Sequence, residues 1–124
     1  MTDTTTYRGY WSQLNTPPAP KNSDAPRLGA YHSAEIEYVF GQFDSKTDVI
    51  WTQEDRNVSL VMQKYWSNFA KTGNPNGAGL PNWPPYTAAD GWSVMILGAE
   101  PTAKKDDLRE RYLFLSKEWA KPKE

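Results

Sequence analysis

The chain has 124 residues and a formal net charge of −1, which suits one ordinary domain and is too balanced for a chain kept disordered by self-repulsion. Only 38% of the residues are hydrophobic, although six Trp and seven Tyr supply large apolar area. We therefore expect a folded protein whose core is partly supplied by something outside the chain.

The same figures disfavour several partners and sites. Balanced charge without a basic stripe argues against nucleic acid, and no apolar run approaches the ~18 residues of a membrane span. The opening MTDTTTYRGY lacks the basic and apolar regions of a signal peptide. The sequence does not indicate in which compartment the protein is located. With no Cys and one His, neither disulfides nor a zinc site are expected.

The N-terminal third predicts a strand, a loop and a short helix. Residues 6–14, TYRGYWSQL, are rich in aromatic residues and favour a strand. Residues 15–32 are predicted to be a loop, because the stretch NTPPAPKNSDAPRLG holds four prolines. The only histidine, His32, ends this loop. A short helix is predicted over 33–41, with Ser33 as its N-cap and Gly41 as its end.

Three further elements follow. A helix is predicted over 52–72, where Thr52 and Asp55 resemble a capping box. Its apolar residues recur at helical spacing on one broad face: Val58, Val61, Met62, Tyr65, Trp66 and Phe69. The apolar run at 92–97 predicts a buried strand. A last helix is predicted over 104–120, with a stripe formed by Leu108, Tyr112, Leu115 and Trp119.

This order of elements is typical of an α/β fold. Two or three strands do not make a complete sheet, since strands need neighbours. The pattern therefore predicts part of a larger α/β domain.

His32 is the first candidate for chemistry, and the residues alone leave two interpretations open. It could simply pack against or cap the following helix. It could instead act as a general base, because imidazole titrates near neutral pH and a loop before a helix suits a side chain that reaches into a cleft. The second role requires a nucleophile and a carboxylate that fixes the tautomer.

The search for these partners within the chain fails. The nearest match to the G-x-S-x-G elbow of serine hydrolases is GWSVM at 91–95, which lacks the second glycine, and we discount Ser93. Glu35 could orient the imidazole, but its closeness in sequence makes a direct bond awkward. A supporting role, or plain charge at the start of a helix, are the alternatives for Glu35.

Two long motifs resemble one family. GAYHSAEIEYVFG, residues 29–41, is similar to the histidine segment of the type B carboxylesterases, which runs Gly-Ala-x-His-x-x-Glu-Ile/Leu-x-Tyr/Phe-Val-Phe-Gly. This family includes cholinesterases and para-nitrobenzyl esterases, and many members carry Gly where Ser33 stands. MQKYWSNFAKTGNPNGAGLPNWPPY, residues 62–86, resembles the family's next block, and MILG and FLSKEW follow in family order. The resemblance covers roughly residues 6–120.

The resemblance implies the C-terminal portion of an α/β-hydrolase fold, spanning residues 1–124 and incomplete by itself. It implies a serine esterase that hydrolyses carboxylic esters through an acyl-serine intermediate, with His32 as the general acid and base of the triad. The Ser and the Asp or Glu would come from the remaining N-terminal part, and the isolated chain would be inactive. Glu35, Gly29 and Tyr31 are implied as supporting residues, Phe40 would pack under the site, and no cofactor or metal is needed.

Two other interpretations stay open. The same fold also serves as a non-catalytic binding or adhesion module, although such a protein has no reason to keep His32. The chain could also be an independent small interaction domain, which would bury its Trp-containing stripes without a partner. Exposed apolar surface distinguishes this last case from a portion of a larger fold.

Overall fold

The computed structural model describes residues 5–11, 20–22, 24 and 30–121. Its elements, in chain order, are β1 (Gly9–Trp11), α1 (Ile36–Phe40), a 3-10 turn (Phe43–Ser45), α2 (Gln53–Thr72), β2 (Ser93–Leu97), β3 (Thr102–Lys105) and α3 (Arg109–Trp119). The three strands form one sheet in the order β1-β2-β3. The chain is therefore α/β, with α1 and α2 between its first two strands.

The sheet joins the two ends of the chain. β1 and β2 are parallel, with Gly9 opposite Met95, whereas β2 and β3 are antiparallel, with Ile96 opposite Thr102. Parallel neighbours need a long crossover, which α1 and α2 supply here. At Gly9 the strand passes close to Trp83, and a β-carbon there would lie 2.7 Å from the indole ring, so only glycine fits without a shift of that ring.

Helix α2 follows from local sequence signals. Its N-cap is Thr52, whose side chain accepts a hydrogen bond from the Asp55 N–H (3.1 Å) while the Asp55 carboxylate accepts one from the Thr52 N–H (2.7 Å), which is a complete capping box. It ends at Gly73, which has the left-handed φ of +76° that favours glycine. Only part of the predicted apolar face is buried. Val58, Met62 and Tyr65 are buried, whereas Trp66 and Phe69 are exposed.

The core lies between α2, α1 and the sheet. Buried side chains from these elements and their loops form one cluster: Tyr38, Phe43, Val58, Met62, Tyr65, Trp83, Met95 and Leu97. Four of these eight residues are aromatic. The Trp and Tyr content therefore does supply the core area that the low aliphatic content leaves short.

Two predicted elements differ from the structure. The predicted strand 6–14 corresponds to β1 at Gly9–Trp11, and residues 12–14 lie outside the described residues. The helix predicted over 104–120 was wrong at its start, because Lys104 and Lys105 belong to β3 and α3 begins at Arg109. This segment is a strand because its main chain pairs with β2. All four β3 side chains are exposed, so no alternation of apolar residues marked the strand in the sequence.

Helix α3 buries none of its residues in the described part of the chain. The predicted stripe of Leu108, Tyr112, Leu115 and Trp119 is exposed, and Trp119 retains 86% of its accessible surface. Large exposed apolar surface of this kind is unusual in a free-standing domain. The structure therefore favours part of a larger fold over an independent small domain.

Across the described residues, no helix is both long enough and apolar enough to span a membrane.

The start of α3 depends on one buried carboxylate, and replacing it is expected to be costly. Asp106 has a fully buried side chain and accepts hydrogen bonds from Tyr86 Oη (2.8 Å) and the Leu108 N–H (3.0 Å), with Arg8 Nη1 at 3.6 Å. We expect Asp106→Ala to lower the free energy of unfolding by about 3 kcal/mol, because it leaves these donors unpaired. Urea unfolding followed by Trp fluorescence measures the change.

Asp107→Ala is the matched control for this prediction. Asp107 is 69% exposed at its side chain and pairs only with Lys104 among the described residues (2.7 Å), so its loss is expected to cost at most about 1 kcal/mol. Equal effects of the two substitutions would contradict the assigned role of Asp106.

Candidate active site

His32 lies in the turn of residues 32–35 that leads directly into α1, and its side chain is exposed. Two main-chain hydrogen bonds close this turn, from Ala34 N–H to Tyr31 C=O (3.1 Å) and from Ile36 N–H to Ser33 C=O (3.3 Å). No hydrogen bond or ion pair joins the imidazole to another described residue. The ring is therefore accessible to groups that lie outside the described part of the chain.

Ser33 is not the N-cap that the sequence predicted. Its φ is +66°, helix α1 begins at Ile36, and the N-cap position is occupied by Glu35 without a side-chain cap. An N-cap residue has an extended backbone, which the left-handed conformation of Ser33 excludes. This conformation costs a residue with a β-carbon about 1–2 kcal/mol relative to glycine.

Helix α1 is fixed to α2 through Tyr38. The Tyr38 side chain is completely buried, and its hydroxyl donates a hydrogen bond to Asp55 Oδ1 (2.6 Å). Ser59 Oγ on α2 donates to the Tyr38 main-chain oxygen (2.6 Å). Gly41 ends the helix in the predicted way, with a φ of +64°. These contacts place the turn of His32 at a defined position relative to α2.

Nothing in the sequence indicated that Tyr38 connects α1 to α2. Asp55 was predicted only as half of a capping box, whereas in the structure the same carboxylate also accepts a hydrogen bond from the Tyr38 hydroxyl. The signal available was a tyrosine at a position of the histidine motif where an aromatic residue recurs. Its partner is 17 residues away, a spacing that no helical or strand period would mark.

The residues predicted to support His32 differ in where they lie and in how far they are buried. Gly29 lies outside the described residues. Glu35 is half-buried, and its main-chain oxygen accepts hydrogen bonds from the N–H groups of Tyr38 (3.1 Å) and Val39 (2.9 Å), which makes it part of the first turn of α1. Phe40, expected to pack beneath the site, is 68% exposed.

Tyr31, the third predicted supporting residue, contacts a residue that the sequence gave no reason to choose. Its hydroxyl accepts a hydrogen bond from Lys46 Nζ, and this ammonium lies 4.8 Å from the centroid of the Tyr31 ring. The hydrogen bond to Tyr31 raises the pKa of Lys46 above its usual value. The residue that precedes His32 is thus held by a cation from beyond α1.

The described residues do not complete a catalytic constellation around His32. Ser93 begins β2, and its hydroxyl donates to the main-chain oxygen of Asp90 (2.7 Å), as suits a turn residue. No group of His, Asp and Glu side chains in the described segments is arranged to hold a metal ion. A nucleophile and an orienting acid for His32 must come from elsewhere if the imidazole is to act as a general base.

Tyr38 also predicts how stability depends on pH. Burial, followed by the hydrogen bond to Asp55, raises the pKa of Tyr38 far above its usual value. The folded state therefore holds this proton more tightly than the unfolded chain, where tyrosine titrates near pH 10 (about 10 in model peptides). The resulting stability is complete below about pH 10 and is lost as the pH rises further, by about 1.4 kcal/mol per pH unit for one proton.

Urea unfolding at a series of pH values between 8 and 11 (roughly the range around the unfolded pKa) measures this loss. Tyr65 and Lys46 also have raised pKa values and contribute in the same range, so the wild type must be compared with Tyr38→Phe. The variant is expected to have the shallower decline, and parallel curves would contradict the assignment to Tyr38.

Known proteins with similar sequences show which family the chain belongs to. The family model for the carboxylesterase family matches residues 4–115. Carboxylesterase 5A of Felis catus is 41% identical over 86 residues, which are 65% of this chain and 16% of that protein. Human cocaine esterase is 45% identical over 64 residues, which are 52% of this chain and 11% of that protein.

Solved structures agree with the sequence comparisons. A thermophilic PNB esterase superimposes with a TM-score of 0.64 at 32% identity, covering 76% of this chain and 20% of that structure. The carboxylesterase EST55 of Geobacillus stearothermophilus gives a TM-score of 0.56 at 31% identity, with 72% and 19% covered. The chain thus spans about a fifth of these structures and has part of their α/β-hydrolase fold. By its motifs, its fold and these matches, the chain belongs to the carboxylesterase family.

Proposed function

We propose that this chain is the C-terminal portion of a serine carboxylesterase and that it contributes His32 as the general acid and base of the catalytic triad. The observation that carries the proposal is the exposed imidazole at the start of α1, unbonded to any described residue, in a chain of the carboxylesterase family. A histidine that only stabilises the described segments would be expected to bond to a residue within them.

The proposed chemistry needs one imidazole and three groups from the upstream part of the esterase. His32 takes the proton of the serine hydroxyl while the serine oxygen attacks the ester carbonyl carbon, and the oxyanion is held by upstream N–H groups. The imidazolium then gives its proton to the leaving alcohol, which departs and leaves an acyl-serine. In the second half, His32 takes a proton from water, the hydroxide attacks the acyl group, and the proton returns to serine as the carboxylic acid leaves.

The surroundings of His32 suit this role. Proton transfer requires a ring that is accessible yet keeps its position, and an exposed residue in a turn next to a fixed helix meets both conditions. Here the fixed helix is α1, which Tyr38 and Ser59 attach to α2. An acid from the upstream part would bond the second ring nitrogen and set the tautomer.

The isolated chain is expected to have no esterase turnover, and co-expression with the upstream four-fifths or so of a PNB esterase is expected to restore it, because the serine and the oxyanion donors are supplied in trans. Release of p-nitrophenolate from a short-chain p-nitrophenyl ester measures the activity. An exposed imidazole hydrolyses activated esters slowly by itself, so the background is set with the His32→Ala chain.

The positive control is the same upstream segment co-expressed with its own C-terminal portion. If this control is active and our chain co-purifies with the upstream segment but the complex stays inert, the catalytic proposal fails. A binding or adhesion module of the same fold would then account for the chain.

A further inference from the structure

The turn that carries His32 is not a relaxed one. Ser33, directly after the histidine, has a left-handed backbone with a φ of +66°, a conformation that a non-glycine residue keeps only where its surroundings enforce it. The two main-chain hydrogen bonds of this turn are of ordinary or long length, 3.1 and 3.3 Å. His32 itself bonds to no described residue, so among the described residues we look for the restraint in the contacts of its neighbours.

Tyr31 is the neighbour that is restrained. Lys46 contacts it at the hydroxyl, through a hydrogen bond donated by Nζ. The ammonium lies beyond the hydroxyl end of the ring, 4.8 Å from its centroid, so this charge-assisted hydrogen bond fixes the end of the tyrosine side chain. Tyr31 C=O also accepts the Ala34 N–H, so the same residue forms one end of the turn.

Lys46 is in turn attached to the aromatic part of the core. Its main-chain oxygen accepts a hydrogen bond from Trp51 Nε1 (3.0 Å), and its N–H donates to the main-chain oxygen of Phe43 (3.3 Å). The Trp51 ring packs edge-on against Phe43 and Tyr38, with centroids 4.6 and 5.6 Å apart. A chain of contacts therefore runs from the buried cluster through Lys46 and Tyr31 to the histidine turn.

We propose that Lys46 is a positioning residue for His32, and that it acts through Tyr31 by holding the turn in the conformation that presents the imidazole. The inference rests on the proposed catalytic role of His32. The raised pKa of Lys46 fits this assignment, because the ammonium stays charged at any pH at which an esterase imidazole would work.

The test replaces Lys46 by methionine, which keeps the length of the side chain and removes the charge and the donor. In the co-expressed complex, kcat is expected to fall roughly tenfold to a hundredfold with KM nearly unchanged, as for a displaced but intact catalytic group. Lys46→Arg should restore kcat to within a few-fold, because guanidinium is also charged and also donates to the hydroxyl. Lys64→Met, at an exposed position of α2, is the matched control and should leave kcat unchanged.

A second measurement does not depend on activity. The chain has one histidine, so nuclear magnetic resonance of the 124-residue chain gives one imidazole Hε1 signal, which identifies His32 directly. Lys46→Met is expected to move this signal towards that of an unstructured peptide, while the indole N–H of Trp83, bonded to the Arg8 oxygen (3.0 Å), keeps its position. Tyr31→Phe, which keeps the ring and loses the hydroxyl, should give a smaller shift.

The two measurements separate failure of this inference from failure of the proposed function. A Lys46→Met variant with unchanged kcat and an unchanged imidazole signal overturns the positioning role, whatever His32 does. A shifted signal in a chain whose complex is inert even with Lys46 present supports the restraint and refutes the catalytic role of His32. Loss of kcat in both Lys46→Met and Lys46→Arg, with the Trp83 signal also displaced, would mean that Lys46 only stabilises the fold and would overturn the inference.

Discussion

His32→Ala is expected to lower kcat for ester hydrolysis by the co-expressed complex by about a millionfold, close to the uncatalysed background. Removing the base of a triad leaves the serine hydroxyl protonated and the leaving alcohol without a proton donor, and losses of about 10⁶ in kcat follow in enzymes with such triads. The substrate-binding surfaces are unchanged, so KM should stay within a few-fold of its original value. Co-purification of the His32→Ala chain with the upstream segment is the control that shows the variant complex is assembled.

Glu35→Gln is the informative companion to this substitution. If Glu35 only supports the first turn of α1, the change should cost a few-fold in kcat. A loss near 10⁴ would instead identify Glu35 as the carboxylate that fixes the imidazole tautomer. A His32→Ala complex that kept more than about a hundredth of the original kcat would remove His32 from the mechanism, since general acid–base catalysis alone contributes about 10²–10⁴.

Tyr38→Ala is expected to lower the free energy of unfolding by about 3–5 kcal/mol, since it removes a fully buried aromatic ring and leaves a cavity. Total stabilities of small domains are about 5–15 kcal/mol, so this variant should be close to unfolding. Tyr38→Phe keeps the ring but takes the hydroxyl from Asp55 Oδ1, and the expected cost is about 1–3 kcal/mol. Chemical denaturation followed by Trp fluorescence orders the three proteins.

Phe40→Ala is the matched control on the same helix. Phe40 is 68% exposed, so its removal is expected to change the free energy of unfolding by no more than about 0.5–1 kcal/mol in the chain alone. If Tyr38→Ala were no more damaging than Phe40→Ala, α1 would not be held to α2 through the buried tyrosine. The same pair of variants would then have to be compared in the complex, where the Phe40 surface has a chance to be covered.

The sequence predicted correctly those elements whose start, apolar face and end are encoded by neighbouring residues. The structure has α2 over Gln53–Thr72, one residue inside the predicted range, because its capping box, periodic apolar face and terminal glycine are all encoded within it. Gly41 ends α1 for the same reason. The parts missed were those set by contacts between distant segments: β3 exists because it pairs with β2, and the beginning of α1 is displaced by the backbone of Ser33.

The candidate site likewise has parts that the sequence predicted and parts that it did not. The motif around His32 predicted the family, which the comparisons confirm, while the catalytic role of His32 stays a prediction. Nothing in the sequence pointed to Lys46, because it lies 15 residues from Tyr31 and a lysine that contacts a tyrosine across a turn follows no period. That Phe40 packs under the site stays a prediction, because the residue is 68% exposed in the chain alone and a motif does not record which surface covers it.

The parallel pairing of Gly9 with Met95 has a consequence for the order in which the chain can assemble during synthesis. β1 leaves the ribosome long before its partner exists, and closing so long a loop is entropically slow. The contacts that hold the His32 turn among the described residues, by contrast, lie between residues 31 and 59, and can form while β2 is still unmade. The turn of His32 is thus able to reach its folded conformation before the sheet closes.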